Sequence, residues 1–291
     1  MSGSAARRPL ADGRWHFQHG PIDLVIACEG SEADCRAALE HAWTRFQGIL
    51  DELSPQLPTL RSPVPGARTS GQADRIARQE SVIGAVATAM VDACSPYGER
   101  FGLFITPMAA VAGSVADEVA RAFRRPGIER AYVNNGGDIA LCLTPGRHFD
   151  VGIVANIGWP GVDGRFRIEA GSPVRGIATS GWRGRSFSLG IADSVTVLAR
   201  TGAVADAAAT MIANQVDVDS SAVRRRPASA LRDDSDLGDR LVTVAVEALA
   251  PAEIENALAK GAAFAETLRQ RGLIDAAALW LCGQVRVVRS R

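Results

Sequence analysis

Apolar residues in this chain recur in separate stretches, and the spacing in each stretch predicts an element, with period two for strands and near 3.6 for helices. Ile22-Asp23-Leu24-Val25-Ile26-Ala27-Cys28 reads as a strand. Ser31 stands where a helix cap belongs. Ala37, Leu39, Ala42, Phe46, Leu50 and Leu53 then form a helical stripe to about Ser54. Pro, Gly and Ser dominate residues 55–71, which predicts a long exposed loop. Ile76, Val82, Ile83, Val86, Met90 and Val91 predict a helix over 74–94. Phe101 to Pro107 reads as a strand, and Met108 to Phe123 as a helix rich in Ala and Gly. Strands are expected at 149–155, 165–169, 175–179, 194–199 and 241–246, and helices at 201–214 and 252–271. Ser220 to Asp236, with Arg224, Arg225, Arg226, Asp233 and Asp234, reads as a charged surface loop. The chain closes as a hairpin, Ala278–Cys282 and Val285–Val288, turning at Gly283-Gln284.

These elements intermix without strict alternation. The expected fold is α+β: a single large domain with a mixed, mainly antiparallel sheet flanked by helices. Residues 1–20 are expected as a flexible N-terminal segment before a domain over 21–291. His16 and His19 lie there near Gly13, Gly20 and Pro21, which argue against a helix that would pair them on a metal. They are expected at the surface.

Two places break the pattern with chemistry. The first is Ala131-Tyr132-Val133-Asn134-Asn135-Gly136-Gly137-Asp138-Ile139-Ala140-Leu141, an apolar strand that halts at two glycines and resumes past a carboxylate. Asn-Gly chemistry suits a tight hairpin. Glycines also let a ligand lie against the main chain, and their amides can cradle phosphate oxygens. Both readings stay open. The second is the helix over 201–214, where Asp206 and Thr210 lie one turn apart on one face. A carboxylate and a hydroxyl together are hard oxygen donors suited to Mg2+, with further oxygens available from a carbonyl at Ala178 or Ser180, from water or from phosphate. Alternatively Asp206 simply favours the helix start and Thr210 packs.

Composition narrows the partners. Acidic and basic residues balance, so no global field steers the chain to nucleic acid or an anionic membrane. Lys260 is the only lysine. Cys28, Cys35, Cys94, Cys142 and Cys282 are odd in number and lack a Cys-x-x-Cys pair, which fits reduced thiols rather than a disulfide or thiolate-metal framework. No apolar stretch reaches membrane-span length, and the start carries no apolar leader core, so a cytoplasmic location is expected.

Gly176-Ile177-Ala178-Thr179-Ser180-Gly181, then Asp193-Ser194-Val195-Thr196-Val197, then Ala205-Asp206-Ala207-Ala208-Ala209-Thr210 follow the Asn-Gly-Gly-Asp turn in order. Together they resemble the core of the FAD:protein FMN transferase (ApbE-like) superfamily, whose fold is also T-fold-like. Thr106-Pro107-Met108-Ala109-Ala110-Val111-Ala112-Gly113 and Asp236-Leu237-Gly238-Asp239-Arg240-Leu241-Val242 resemble one uncharacterised branch of it. The resemblance runs from about Asp23 to Ile274. It implies FAD and Mg2+ as cofactors, with Asp206, Thr210 and the Ala178 backbone holding the metal. It places Asn135, Gly136, Gly137, Asp138, Thr179 and Ser180 at the cofactor, and Thr106 and Met108 on a flavin wall. Asp138 or Asp193 would serve as base.

One segment departs from that pattern. Between Thr-Ser-Gly and Ser-Val-Thr the transferases carry a His and a Pro-x-Thr-Gly element. Here Trp182 to Ala192 carries neither. Arg183, Arg185, Ser186, Ser188 and Asp193 could form an anion or substrate pocket in its place, the alternative being a polar, exposed loop held by Gly181, Gly184 and Gly190. Three functions stay open: FMN transfer from FAD to a protein Ser or Thr, flavin or nucleotide binding without transfer, and different chemistry on a small anionic substrate. The partners implied are a flavin nucleotide and an acceptor protein, with no nucleic acid or membrane, and a homo-oligomer left open.

Overall fold

The computed structural model describes residues 4–67, 82–154, 161 and 163–290. Internal contacts group the chain into two compact units whose segments interleave: residues 1–149, 168–177 and 200–205 in the first, and 150–167, 178–199 and 206–291 in the second. The elements are those of an α+β fold built on antiparallel strand pairs, as the intermixed pattern predicts.

In the first unit, strands β1 (Ala6–Pro9), β2 (Trp15–His19), β3 (Ile22–Gly30), β4 (Ile128–Asn135) and β5 (Asp138–Leu143) pair antiparallel in chain order. Residues 6–19 therefore form a hairpin on β3 rather than a loose leader. No local pattern signals this hairpin, because β1 is short and polar. His19 is buried beside Phe46, and His16 meets Asp23 at 3.1 Å, so neither is a plain surface histidine. β3 alternates as its pattern requires, burying Ile22, Leu24 and Ile26.

Helix α1 (Glu32–Gln47) starts where Ser31 predicts, with the Ser31 hydroxyl accepting from the Asp34 amide at 3.2 Å. The chain continues through α2 (Ile49–Leu53), a 3-10 turn at Ser54–Gln56 and α3 (Leu57–Leu60), so the expected loop begins later than its composition suggests. The helix expected over 74–94 falls partly outside the described residues. What is described is α4 (Ala85–Phe101), which runs through Pro96 and stops at Gly102 with φ near +63°. Ser95-Pro96 looks like a stop, but burial of Tyr97 keeps the helix going. The strand expected over 101–107 is absent. Instead a 3-10 turn at Pro107–Ala110 leads into α5 (Val111–Ala120). Phe17, Leu24, Ile26, Phe46, Met90, Val115, Val119 and Val133 share one core with these helices.

Strands β6 (His148–Ile153) and β7 (Gly164–Glu169) form a small sheet of their own. Strand β8 (Gly176–Ser180) adds Gly176 and Ile177 to β5 in the first unit and its other residues to the second. The second unit carries β9 (Ser194–Ala199) and most of α6 (Gly202–Gln215). There too are β10 (Val223–Pro227), β11 (Leu241–Val246), α7 (Pro251–Gln270), β12 (Ala276–Leu281) and β13 (Gln284–Arg289). β9, β12 and β13 pair antiparallel, as do β10 and β11. The arginine run Arg224–Arg226 is thus a strand, not an open loop; pairing with β11 is a long-range fact that local charge hides. The closing turn is Cys282-Gly283, one residue earlier than expected.

Helix α6 is mostly alanine at its buried positions, which lets neighbours approach closely. Gly113 of α5 sits so near its start that a Cβ there would lie 2.2 Å from the Gly202 carbonyl oxygen. Gly113→Ala is therefore expected to destabilise the protein by about 3 kcal/mol through overpacking, read as a lowered melting midpoint. An unchanged midpoint would show that this contact yields.

Candidate functional site

Asn135 and Asp138 face each other across β4 and β5, with Gly136 and Gly137 as the two-residue turn between them. Their φ values of +67° and +116° are those of a primed hairpin turn, which glycine adopts without strain. The Gly137 amide donates to the Asn134 side-chain oxygen at 2.8 Å. One of the two amides expected to cradle phosphate is therefore already satisfied, and the hairpin reading accounts for the turn's conformation. A Cβ on Gly137 would meet nothing within 4 Å, so space remains above the turn. Asn135 is buried and donates to the Ala112 carbonyl at 3.1 Å, which ties the turn to α5. Thr106 is buried beside the Pro107–Ala110 turn, where Met108 is half-buried. All these residues lie in the first unit.

The second unit holds Ala178, Thr179, Ser180, Asp193, Asp206 and Thr210. On α6, Asp206, Thr210 and Asn214 are half-exposed among fully buried neighbours such as Ala205, Ala209 and Ile212. Spaced four residues apart, they form one polar stripe. Thr210 Oγ1 lies 3.5 Å from Ser180 Oγ, so helix and loop meet where the sequence placed a metal. The donors are all oxygens, the chemistry Mg2+ prefers. Among the described residues no group of three or more His, Cys, Asp or Glu side chains is placed to hold a metal ion. A cation here would rest on Asp206, Thr210, backbone carbonyls and ligand or water oxygens.

Thr179 and Ser180 make different side-chain contacts. Successive strand residues point to opposite faces, and Thr179 Oγ1 meets Thr196 Oγ1 at 2.9 Å while Ser180 turns to α6. Only Ser180 joins the Asp206 stripe.

Asp193 is held at both carboxylate oxygens. Its Oδ1 accepts from Arg183 Nε at 2.7 Å and its Oδ2 from the Cys282 amide at 2.6 Å. Cys282 is the one non-glycine residue with positive φ among the described residues, at +48°. Asp193 therefore braces the β12–β13 turn. Arg183 also stacks over Trp182 at 4.6 Å. Arg185 is exposed. Ser188 is buried, accepts from the Gly190 amide and lies 3.3 Å from Asn214 Oδ1, which also accepts from the Leu189 amide. Arg183, Ser188 and Asp193 thus help to hold this loop, while Arg185 and Ser186 are exposed.

One residue escaped the sequence reading. Asp117 of α5 accepts from the Gly202 and Ala203 amides at 2.9 and 2.8 Å, capping α6 from another helix. Burial pushes its carboxyl above the usual carboxylate range, against those two amides and the nearby Arg124 and Arg121. In sequence Asp117 looks like an ordinary helix-surface acid. No local signal could have found it.

Oxygen donors on an alanine-rich helix, set against a strand-end hydroxyl, define a candidate cation site on an α+β scaffold. A family model described as AbpE bacteria matches residues 7–287, and the chain belongs to that family. Among curated proteins it is similar to a UPF0280 protein of Methanosphaerula palustris, 41% identical over 122 residues, covering 41% of this chain and 50% of that protein. A UPF0280 protein of Methanopyrus kandleri is 37% identical over 142 residues, covering 48% and 54%. The matched stretch spans about half the length of these relatives. The solved ApbE protein of Thermotoga maritima aligns over 100% of this chain and 97% of its own, at 13% identity and a TM-score of 0.43. The flavinyl transferase ApbE of Pseudomonas stutzeri aligns over 99% and 94%, at 14% and 0.42. Among the described residues no helix is long and apolar enough to cross a membrane.

Proposed function

We propose that this protein binds FAD with Mg2+ and transfers FMN to a Ser or Thr hydroxyl of an acceptor protein. The observation that carries this reading is the Asp206–Thr210–Ser180 oxygen set, together with membership of the AbpE family. Asp206, Thr210 and the Ala178 carbonyl would hold Mg2+, which when bound neutralises the pyrophosphate and stabilises the departing phosphate. In the transfer, the acceptor oxygen bonds to the FMN phosphorus as the bond from that phosphorus to the AMP oxygen breaks. AMP leaves, and the hydroxyl proton passes to a base. Asp138 or Asp193 would serve as that base, and Asp193 also accepts from Arg183 and the Cys282 amide. Asn135, Gly136, Gly137, Thr106 and Met108 are proposed as cofactor contacts.

A second reading is flavin or nucleotide binding without transfer. What favours it is the loop from Trp182 to Asp193, which has no His and in which Arg183, Ser188 and Asp193 are engaged in anchoring the loop. Calorimetry with FAD separates both readings from neither. FAD binding that strengthens at least tenfold with Mg2+ is expected, and no measurable binding with or without the metal would refute both.

A further inference from the structure

Cys28 near the end of β3 and Cys35 in the first turns of α1 place their sulfurs 2.9 Å apart. Both are half-buried, so small oxidants reach them. The other thiols are differently placed. Cys94 and Cys142 are buried, with Cys142 donating to the Ala120 carbonyl, and Cys282 stands exposed at its turn. A disulfide needs an S–S distance of about 2.0 Å, so closure requires a shift of roughly 0.9 Å. The segment between them is short and held in place: the Ser31 amide donates to the Gly127 carbonyl at 2.8 Å, and the Ser31 side chain caps α1.

We propose that Cys28 and Cys35 are a dithiol modification site that peroxides oxidise to an intramolecular disulfide, stapling α1 to β3. Burial and the neighbouring Cys35 sulfur keep the Cys28 thiol protonated, and it donates to Cys35. Cys35 therefore meets the oxidant first. Its sulfur attacks one peroxide oxygen, the O–O bond breaks, and a sulfenic acid and one water result. The Cys28 sulfur then attacks the Cys35 sulfur, the S–O bond breaks, and a second water leaves with the Cys28 proton. Two thiols and one hydrogen peroxide give one disulfide and two waters. This site is independent of flavin or metal binding.

Trypsin leaves both cysteines in one peptide, Trp15 to Arg36, because no Lys or Arg lies between Arg14 and Arg36. The full chain, treated with hydrogen peroxide, alkylated and digested, should yield that peptide lighter by two hydrogens and unalkylated. Reduction with dithiothreitol should restore two alkylation sites. Cys282→Ser should leave the result unchanged, and Cys35→Ser should abolish it. The proposal is overturned if wild-type protein keeps both thiols alkylatable while Cys282 is oxidised, or if the peptide gains oxygens instead of losing hydrogens.

Discussion

Asp206→Ala is expected to lower Mg2+-dependent release of AMP from FAD by about 1000-fold, a loss of about 4 kcal/mol of transition-state stabilisation. Asp206 stands on the polar stripe of α6 with Thr210, whose hydroxyl meets Ser180. Removing the one carboxylate of that oxygen set removes the only full negative charge it offers a cation. The helix itself should tolerate the change, since alanine is the best helix former and already dominates α6. Melting midpoint and activity therefore separate the two readings of Asp206. A helix-start role predicts a loss of a few tenths of a kcal/mol in stability and no change in a Mg2+ titration. A metal role predicts a weakened titration in a protein that melts normally.

Asp117→Ala is expected to do the opposite, destabilising the fold by about 3 kcal/mol by leaving the buried Gly202 and Ala203 amides without their acceptor. The effect should depend on pH. Burial raises the Asp117 carboxyl above its ordinary value, so the folded state holds this proton more tightly than the unfolded chain. Its stabilising contribution is then fully present below the ordinary carboxylate range and diminishes as pH rises through the raised value. The stability difference between wild type and Asp117→Ala, measured by urea unfolding, should shrink from acidic to neutral pH. A difference that grows with pH would show that the paired amides and arginines outweigh burial. Because Asp117 fixes the first turn of α6, the variant should also weaken any Mg2+ site at Asp206.

Much of this was legible in the chain. Ile22–Cys28 alternates and forms β3, Ser31 caps α1 as its side-chain chemistry dictates, and Asn-Gly-Gly-Asp makes the expected tight hairpin. The spacing of Asp206 and Thr210 places them on one helix face, and the Thr210 hydroxyl lies 3.5 Å from that of Ser180. What failed to show was tertiary. β1 and β10 are polar segments that become strands only because β2 and β11 offer partners. The resemblance offers Asp193 as a base, while its bond to the Cys282 amide joins residues far apart in sequence and has no local signal. Thr179 and Ser180 are adjacent in the motif but separated by the alternation of β8. Asp117 acts through a contact between helices that no local pattern encodes.

Under the proposed function, a Mg2+-dependent oxygen site at Asp206 and Thr210 would cleave the pyrophosphate of FAD. Its most direct test is to incubate the purified chain with FAD and a Ser/Thr-rich acceptor peptide, with Mg2+ or with EDTA, and to follow AMP together with flavin fluorescence on the acceptor. Release of AMP with Mg2+ alone, matched by covalent FMN and lost in Asp206→Ala, is the predicted result. FAD that stays intact under both conditions, or AMP release that EDTA and Asp206→Ala leave unchanged, would contradict it.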